Sequence, residues 1–187
     1  DCKYHYDIDF IRGGTLFCSK GDLSIASWNI EGLTDSKKIE LTRAMQLYDI
    51  DILGFQEAHI HTSTIEELEH GFLMISSGIE TDCKSFTGVG FIISARVRRS
   101  IITFQQKNDR MCMIKLRTAK GKMSIICAYA PPQTPNHSYQ ERQLFFEDLG
   151  NFWHEISCNG PKYIIGDMNS RLYKHIAGEE HIIGPSI

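Results

Sequence analysis

Asp167 and Asn169 place a carboxylate and a carboxamide two residues apart, in the segment Gly166-Asp167-Met168-Asn169. They directly follow Tyr163-Ile164-Ile165, an apolar run that reads as a short buried strand. On a strand that spacing puts both side chains on one face, and the preceding glycine lets the backbone approach a ligand closely. Other apolar runs end in the same way: Ser24 to Trp28 leads into Asn29 and Glu31, and Asp51 to Gln56 leads into Glu57. A further run, Ser124 to Ala128, ends in Tyr129 ahead of Ala130-Pro131-Pro132. Acid and amide oxygens delivered from several strand ends are suited to a hard cation such as Mg²⁺.

The residue types suggest roles. A carboxylate at a buried strand end is costly unless it is paired or binds metal, which makes Glu57 the candidate primary metal ligand and Glu31 a candidate for the outer shell. Asn29 could orient a carboxylate or touch phosphate, Asp167 and Asn169 could polarise a water and hold a phosphate oxygen, and the Tyr129 phenol could donate to a phosphoryl oxygen. Each has a plainer reading when taken singly: an Asx-turn at Asn29, a turn at Asp167–Asn169, a core tyrosine at 129, an exposed strand-end acid at 57. The specific signal is the ordered set of four strand ends. His59 and His61 lie near Glu57, but no third nitrogen or thiolate ligand is placed by spacing, so they read as loop histidines rather than zinc ligands.

The elements that must carry these residues alternate. Leu23 to Trp28 reads as a strand and Ser36 to Tyr48 as a helix, with Leu41, Ala44, Met45 and Tyr48 on one stripe. Strands are expected at 51–56, 71–76, 88–94, 101–105, 111–118 and 123–129, with a hairpin turn at Ala119-Lys120-Gly121-Lys122. Ser63 to His70 is expected to be a short helix. Ser138 to Ile156 is the second long helix, opened by a Ser138–Glu141 capping box and buried along Phe145, Leu149, Phe152, Trp153 and Ile156. The order of elements predicts an α/β fold with two sheets between helices.

Composition narrows the class. Hydrophobic content of 42% and charged content of 23% suit a single globular domain, and no apolar run reaches the length of a membrane span. Six cysteines stand without C-x-x-C spacing, which argues against structural zinc and for an intracellular, reduced protein. Cys112 and Cys127 fall in expected strands and read as buried thiols. The net charge of -3 argues against an extended nucleic-acid surface, yet nine bases and one acid lie between Arg96 and Lys122. That band is either the solvated face of a hairpin or a track for a phosphate backbone, with Arg96, Arg98 and Arg110 as candidate substrate-binding residues. The chain does not begin with Met, as expected of a piece of a larger protein.

The set Ser27-Trp28-Asn29-Ile30-Glu31-Gly32, Ile52 to Glu57, Gly88-Val89-Gly90, Tyr129-Ala130-Pro131 and Gly166 to Asn169 resembles the endonuclease/exonuclease/phosphatase superfamily, from about residue 22 to 170. The resemblance implies a four-layer α/β sandwich, two mixed β-sheets flanked by helices, and metal-dependent phosphodiester hydrolysis. Carried over by position, Glu57 would bind Mg²⁺ (Mn²⁺ being the alternative), with Asn29 beside the metal or phosphate and Glu31 nearby. Asp167 would orient the attacking water, and Asn169 and Tyr129 would stabilise the phosphorane. The family's C-terminal Ser-Asp-His motif does not occur, and His154, His175 and His181 do not stand in that context. The expectation is therefore one domain over 1–187, with 1–21 as an extension, the C-terminal part of the fold missing, and weak or no activity of the chain alone.

Gly166 to Leu172, Gly178-Glu179-Glu180, Ile183-Gly184-Pro185 and Tyr129 to Pro132 look like the endonuclease domains of non-LTR retrotransposons of the RTE type. That implies a DNA-nicking enzyme acting in the nucleus, with a reverse transcriptase on its C-terminal side. The alternatives are an abasic-site endonuclease or phosphatase of the same superfamily, and a catalytically dead scaffold that keeps the fold.

Overall fold

The computed structural model describes residues 5–6, 23–78, 87–135 and 137–170. Most of the expected 1–21 extension, and the segments 178–180 and 183–185, lie outside these residues. The described elements run β1 (His5–Tyr6), β2 (Ile25–Asn29), α1 (Asp35–Leu47), β3 (Ile52–Gln56), β4 (Thr64–Glu67), β5 (Leu73–Ser77), β6 (Val89–Ile93), β7 (Ile101–Asn108), β8 (Met111–Thr118), β9 (Gly121–Tyr129), α2 (Tyr139–Glu155) and β10 (Lys162–Asp167).

Two five-stranded sheets form, in the orders β1-β7-β8-β9-β10 and β2-β3-β6-β5-β4. Both are mixed: β9–β10 and β2–β3 pair in parallel and the other neighbours antiparallel. Three apolar clusters define four layers. Phe91, Phe104, Ile114 and Ile125 fill the space between the sheets. Leu41 and Met45 of α1 pack with Leu53, Phe55 and Met74 on one outer face. Phe145, Leu149 and Phe152 of α2 pack with Met111, Met113 and Ile126 on the other. Each such large side chain, fully buried, contributes about 1.5–3 kcal/mol of transfer free energy.

The helix ends follow their cap residues. Thr34 Oγ1 accepts from Lys37 N at 3.2 Å ahead of α1, and Ser138 Oγ accepts from Glu141 N at 3.0 Å ahead of α2. Tyr48 does not join the α1 stripe: it follows the last helical residue and is 70% exposed. The short helix expected at Ser63 to His70 is instead β4 followed by a single 3₁₀ turn at Glu69–Gly71. β4 makes four residue pairs with β5, from Thr64↔Ser76 to Glu67↔Leu73. Ladder pairing satisfies backbone groups that a helix of under two turns leaves open, and β-branched Thr64 and Ile65 favour the strand.

Tyr163 and Ile164 are not buried as expected, being 46% and 40% exposed. They lie on β10, which ends its sheet as β2 ends the other, with Trp28 41% exposed on β2. Among the described residues no strand pairs with the outer edge of β2 or of β10.

Candidate active site

The parallel register of β2 and β3 sets Ile25 opposite Ile52 and Asn29 opposite Gln56, so the two strands finish level. Glu57 follows immediately on β3. In the other sheet, β10 runs parallel to β9 and brings Asp167 opposite Tyr129. All four strands therefore deliver their C-terminal residues to one end of the sandwich. The sheets approach closely over Gly54, where a Cβ would lie 2.5 Å from Ile165 Cδ1 and 3.2 Å from Cys127 Sγ, so a larger residue would require the Ile165 side chain to shift.

Asn29 joins the sheets chemically. Its Nδ2 donates to Glu57 Oε1 at 2.7 Å and to Asp167 Oδ2 at 3.4 Å. Its Oδ1 is buried and has no partner among the described residues. An unsatisfied buried acceptor is expensive and calls for a ligand. The Asp167 carboxylate is also held by its own loop, Oδ1 accepting from Asn169 N at 2.8 Å. Asn169 Nδ2 donates to Ala130 O at 2.7 Å, and Ala130 N donates to Asp167 O at 2.9 Å. Asn169 thus ties the end of β10 to the end of β9, with one of its amide protons already committed.

Tyr129 is 6% exposed, and Asp167 is its register partner. Burial first, then the neighbouring Glu57 carboxylate, raise the phenol well above the usual tyrosine value. Asp167 adds to the shift and the Arg110 guanidinium opposes it. Arg110 sits in the β7–β8 turn with its guanidinium 5.2 Å from the centre of the Tyr129 ring, and its Nη1 donates to Tyr129 O at 3.5 Å. The structure therefore gathers Asn29, Glu57, Tyr129, Asp167, Asn169 and Arg110.

Glu31 stands apart. It is exposed, and among the described residues no three of His, Cys, Asp and Glu form a metal-holding group. Its link to the site is through the backbone, the next residue Gly32 donating its N–H to Glu57 O at 2.7 Å. Arg96 and Arg98 are not brought to the cluster. Arg96 pairs with the buried carboxylate of Asp51, and Arg98 Nη1 with Glu67 Oε1 at 2.9 Å. Asp51 precedes β3 whereas Glu57 follows it, about 20 Å away along an extended strand. The bases expected to track substrate are here structural ion pairs, and Arg110 is the member of the basic band placed at the site.

Backbone geometry marks the same region in a way the residue pattern did not foretell. Glu31, Glu57, His59 and Asn169 adopt positive φ, from 46° to 55°. For residues other than glycine this costs roughly 1–2 kcal/mol each. The loop is held by Ala58 N donating to Gly88 O at 3.0 Å and His59 N to Thr87 O at 2.8 Å. His59 is thus a strained residue beside Glu57, and His61 is exposed. Gly166 has φ +135°, and a Cβ on it would sit 1.9 Å from Ala128 O. The close approach it permits is to the backbone of β9, not to a ligand as its place in the sequence suggests.

The chain is 29% identical over 157 residues to craniofacial development protein 2 of Bos taurus, covering 84% of this chain and 26% of that protein. It thus spans about a quarter of that relative's length. Its fold is similar to D. rerio TDP2 complexed with single strand DNA product (TM-score 0.58, 16% identity, 80% of this chain and 61% of the other). It is also similar to an AP endonuclease from Archaeoglobus fulgidus (TM-score 0.53, 17% identity, 79% and 58%). At these identities the two structures speak for the fold. The sequence matches the endonuclease/exonuclease/phosphatase family over residues 26–174, and the chain belongs to that family.

Proposed function

We propose that this chain is a DNA-nicking phosphodiester hydrolase that works with a divalent metal ion. The observation that carries the reading is the Asn29 carboxamide, which spans Glu57 and Asp167 with its own oxygen buried and unpartnered among the described residues. Glu57 and Asn29 Oδ1 are hard oxygen donors of the kind Mg²⁺ takes, with water completing its shell. They fit the metal implied by the family, and they are the residues that would hold it; when bound it supplies Lewis-acid polarisation of the phosphoryl oxygen.

The remaining work falls to the chain's own side chains. Asp167, fixed by Asn169 N and Asn29 Nδ2, holds a water in line with phosphorus and takes one of its protons. The water oxygen bonds to phosphorus as the bond to the 3′ oxygen breaks, and the departing oxygen takes a proton from solvent, leaving a 3′-hydroxyl and a 5′-phosphate. Tyr129 turns its proton toward the phosphoryl oxygen, and Arg110 beside its ring adds positive charge. DNA as substrate is supported by the cation at the site and by the likeness to a fold solved with a single strand DNA product. The narrower assignment, to a retrotransposon endonuclease followed by a reverse transcriptase and acting in the nucleus, rests on the segments at Tyr129–Pro132 and Gly166–Leu172.

The test is a substrate panel under Mg²⁺: supercoiled plasmid, an abasic duplex and a small phosphate monoester. Nicking of the plasmid without preference for the abasic duplex supports the reading. Preference for the lesion, or release of phosphate from the monoester alone, moves the chain to the abasic-site or phosphatase alternative. A folded chain inert on all three leaves the scaffold alternative or the inactivity expected where the family's Ser-Asp-His motif is missing.

A further inference from the structure

Away from the site, the start of β10 carries a thiol in an unusual setting. Lys115 of β8 and Lys162 of β10 are both register partners of Ser124 on β9, so the three side chains stand in one row on the α2 side of the sheet. Arg117 and Lys122 form the next pair on the same face. Cys158, partly exposed in the loop after α2, lies over this row, its Sγ–H donating to Lys122 O at 3.5 Å and reaching Pro161 O at 4.0 Å. Both ammonium groups are anchored beside it. Lys115 Nζ donates to Ser157 O at 2.7 Å, and Lys162 Nζ donates to Trp153 O at 2.8 Å and lies 5.0 Å from the Trp153 ring centre.

Ser124 is 0% exposed, points to the same side of the sheet as the Lys115–Lys162 row, and its Oγ has no hydrogen-bond partner among the described residues. A buried hydroxyl left without a partner is costly, and a thiolate at Cys158 is the acceptor that would satisfy it.

We propose that Cys158 is an S-thiolation site for small anionic disulfides of the oxidised-glutathione class. The Cys158 thiolate attacks one sulfur of the disulfide. A protein–sulfur bond forms, the original S–S bond breaks, and the other half departs as a thiolate that takes a proton from water. No other oxidant is required. Partial burial opposes the thiolate, but the Ser124 hydroxyl, the Gly160 N–H and the ammonium groups of Lys115 and Lys162 outweigh it and hold the thiol below its usual value. Cys112 and Cys127 provide the internal contrast, since burial pushes the first up and the second to about 12.

The experiment exposes the whole folded chain to oxidised glutathione or to the cationic disulfide cystamine, and maps the modified cysteines by peptide mass spectrometry over time. Cys158 is expected to react well before Cys112 and Cys127, and faster with oxidised glutathione than with cystamine. Ser124→Ala should slow the reaction severalfold at neutral pH, because it removes a donor to the thiolate. Lys115→Gln combined with Lys162→Gln should abolish the preference for the anionic disulfide, with circular dichroism confirming that each variant is folded. Labelling of Cys158 no faster than of the two buried thiols, a wild-type preference for cystamine, or a folded Ser124→Ala variant reacting at the wild-type rate would each overturn the proposal.

Discussion

The carboxamide nitrogen of Asn29 lies 2.7 Å from Glu57 Oε1, while its oxygen is buried with no donor to it among the described residues. One amide thus orders a carboxylate and presents an oxygen to the same space. Because Nδ2 also reaches Asp167 Oδ2 at 3.4 Å, Asn29 sets the separation of two like charges contributed by different sheets. Asn29→Ala is expected to lower the plasmid nicking rate by about 10²–10³-fold, the usual cost of losing a preorganised donor. Its thermal midpoint should fall only slightly, since an unsatisfied acceptor is removed together with the donor. A stopped time course of plasmid relaxation, with the melting temperature measured alongside, checks both halves.

Tyr129 gives a prediction about pH. Its folded value is raised above the unfolded one, so the neutral phenol stabilises the fold fully below the unfolded value of about 10. As pH rises beyond that, the unfolded chain ionises first and this stabilisation is lost. The stability difference between wild type and Tyr129→Phe, from urea unfolding, should be constant near neutrality and shrink in alkali. In nicking assays the phenol stays protonated at working pH. Tyr129→Phe should therefore lower the rate by a constant factor from about pH 6 to 9, without shifting the profile.

The two arginines should separate cleanly. Removing Arg96 strands the Asp51 carboxylate, which is 5% exposed, also accepts from Ser24 N at 3.0 Å, and lies at the far end of β3. Arg96→Ala is expected to cost about 1–3 kcal/mol of stability and leave the rate per folded molecule unchanged. Arg110→Ala should do the reverse, weakening DNA binding and its dependence on salt with little change in melting temperature. Fluorescence anisotropy with labelled DNA at two salt concentrations, read beside thermal unfolding, distinguishes them.

Much of this was legible in the residues. The strand ends at Asn29, Glu57, Tyr129 and Asp167 were readable because chemistry-bearing side chains follow apolar runs, and parallel pairing brings such ends level. The α2 stripe was legible because Phe145, Leu149 and Phe152 repeat at helical spacing. Pairing across the sheet was not. β4 looks helical until β5 supplies its partner, and Tyr163 and Ile164 look buried until β10 is seen at the edge of the described sheet. The basic band misled for a related reason: its arginines are near in sequence, but Arg98 and Arg110 lie at opposite ends of β7, facing Glu67 and Tyr129 respectively.

Gly166→Ala tests how tightly β9 and β10 are held together at the site. The added Cβ would meet Ala128 O at 1.9 Å in a backbone with φ +135°. Strain of that kind costs about 1–3 kcal/mol before the clash is counted, so the variant should melt well below wild type and lose nicking through displacement of Asp167. Met168→Ala, two residues along at the margin of the α2 cluster, should reduce stability less and retain more activity.

The most direct measurement of the central claim is the rate of supercoiled plasmid relaxation by wild type with Mg²⁺ or with EDTA, beside Glu57→Ala and Asp167→Ala. The account predicts metal-dependent nicking by wild type, slow for want of the Ser-Asp-His motif, that EDTA abolishes and that both substitutions remove while the fold is retained. Relaxation that persists in EDTA, or in either folded variant, would contradict it.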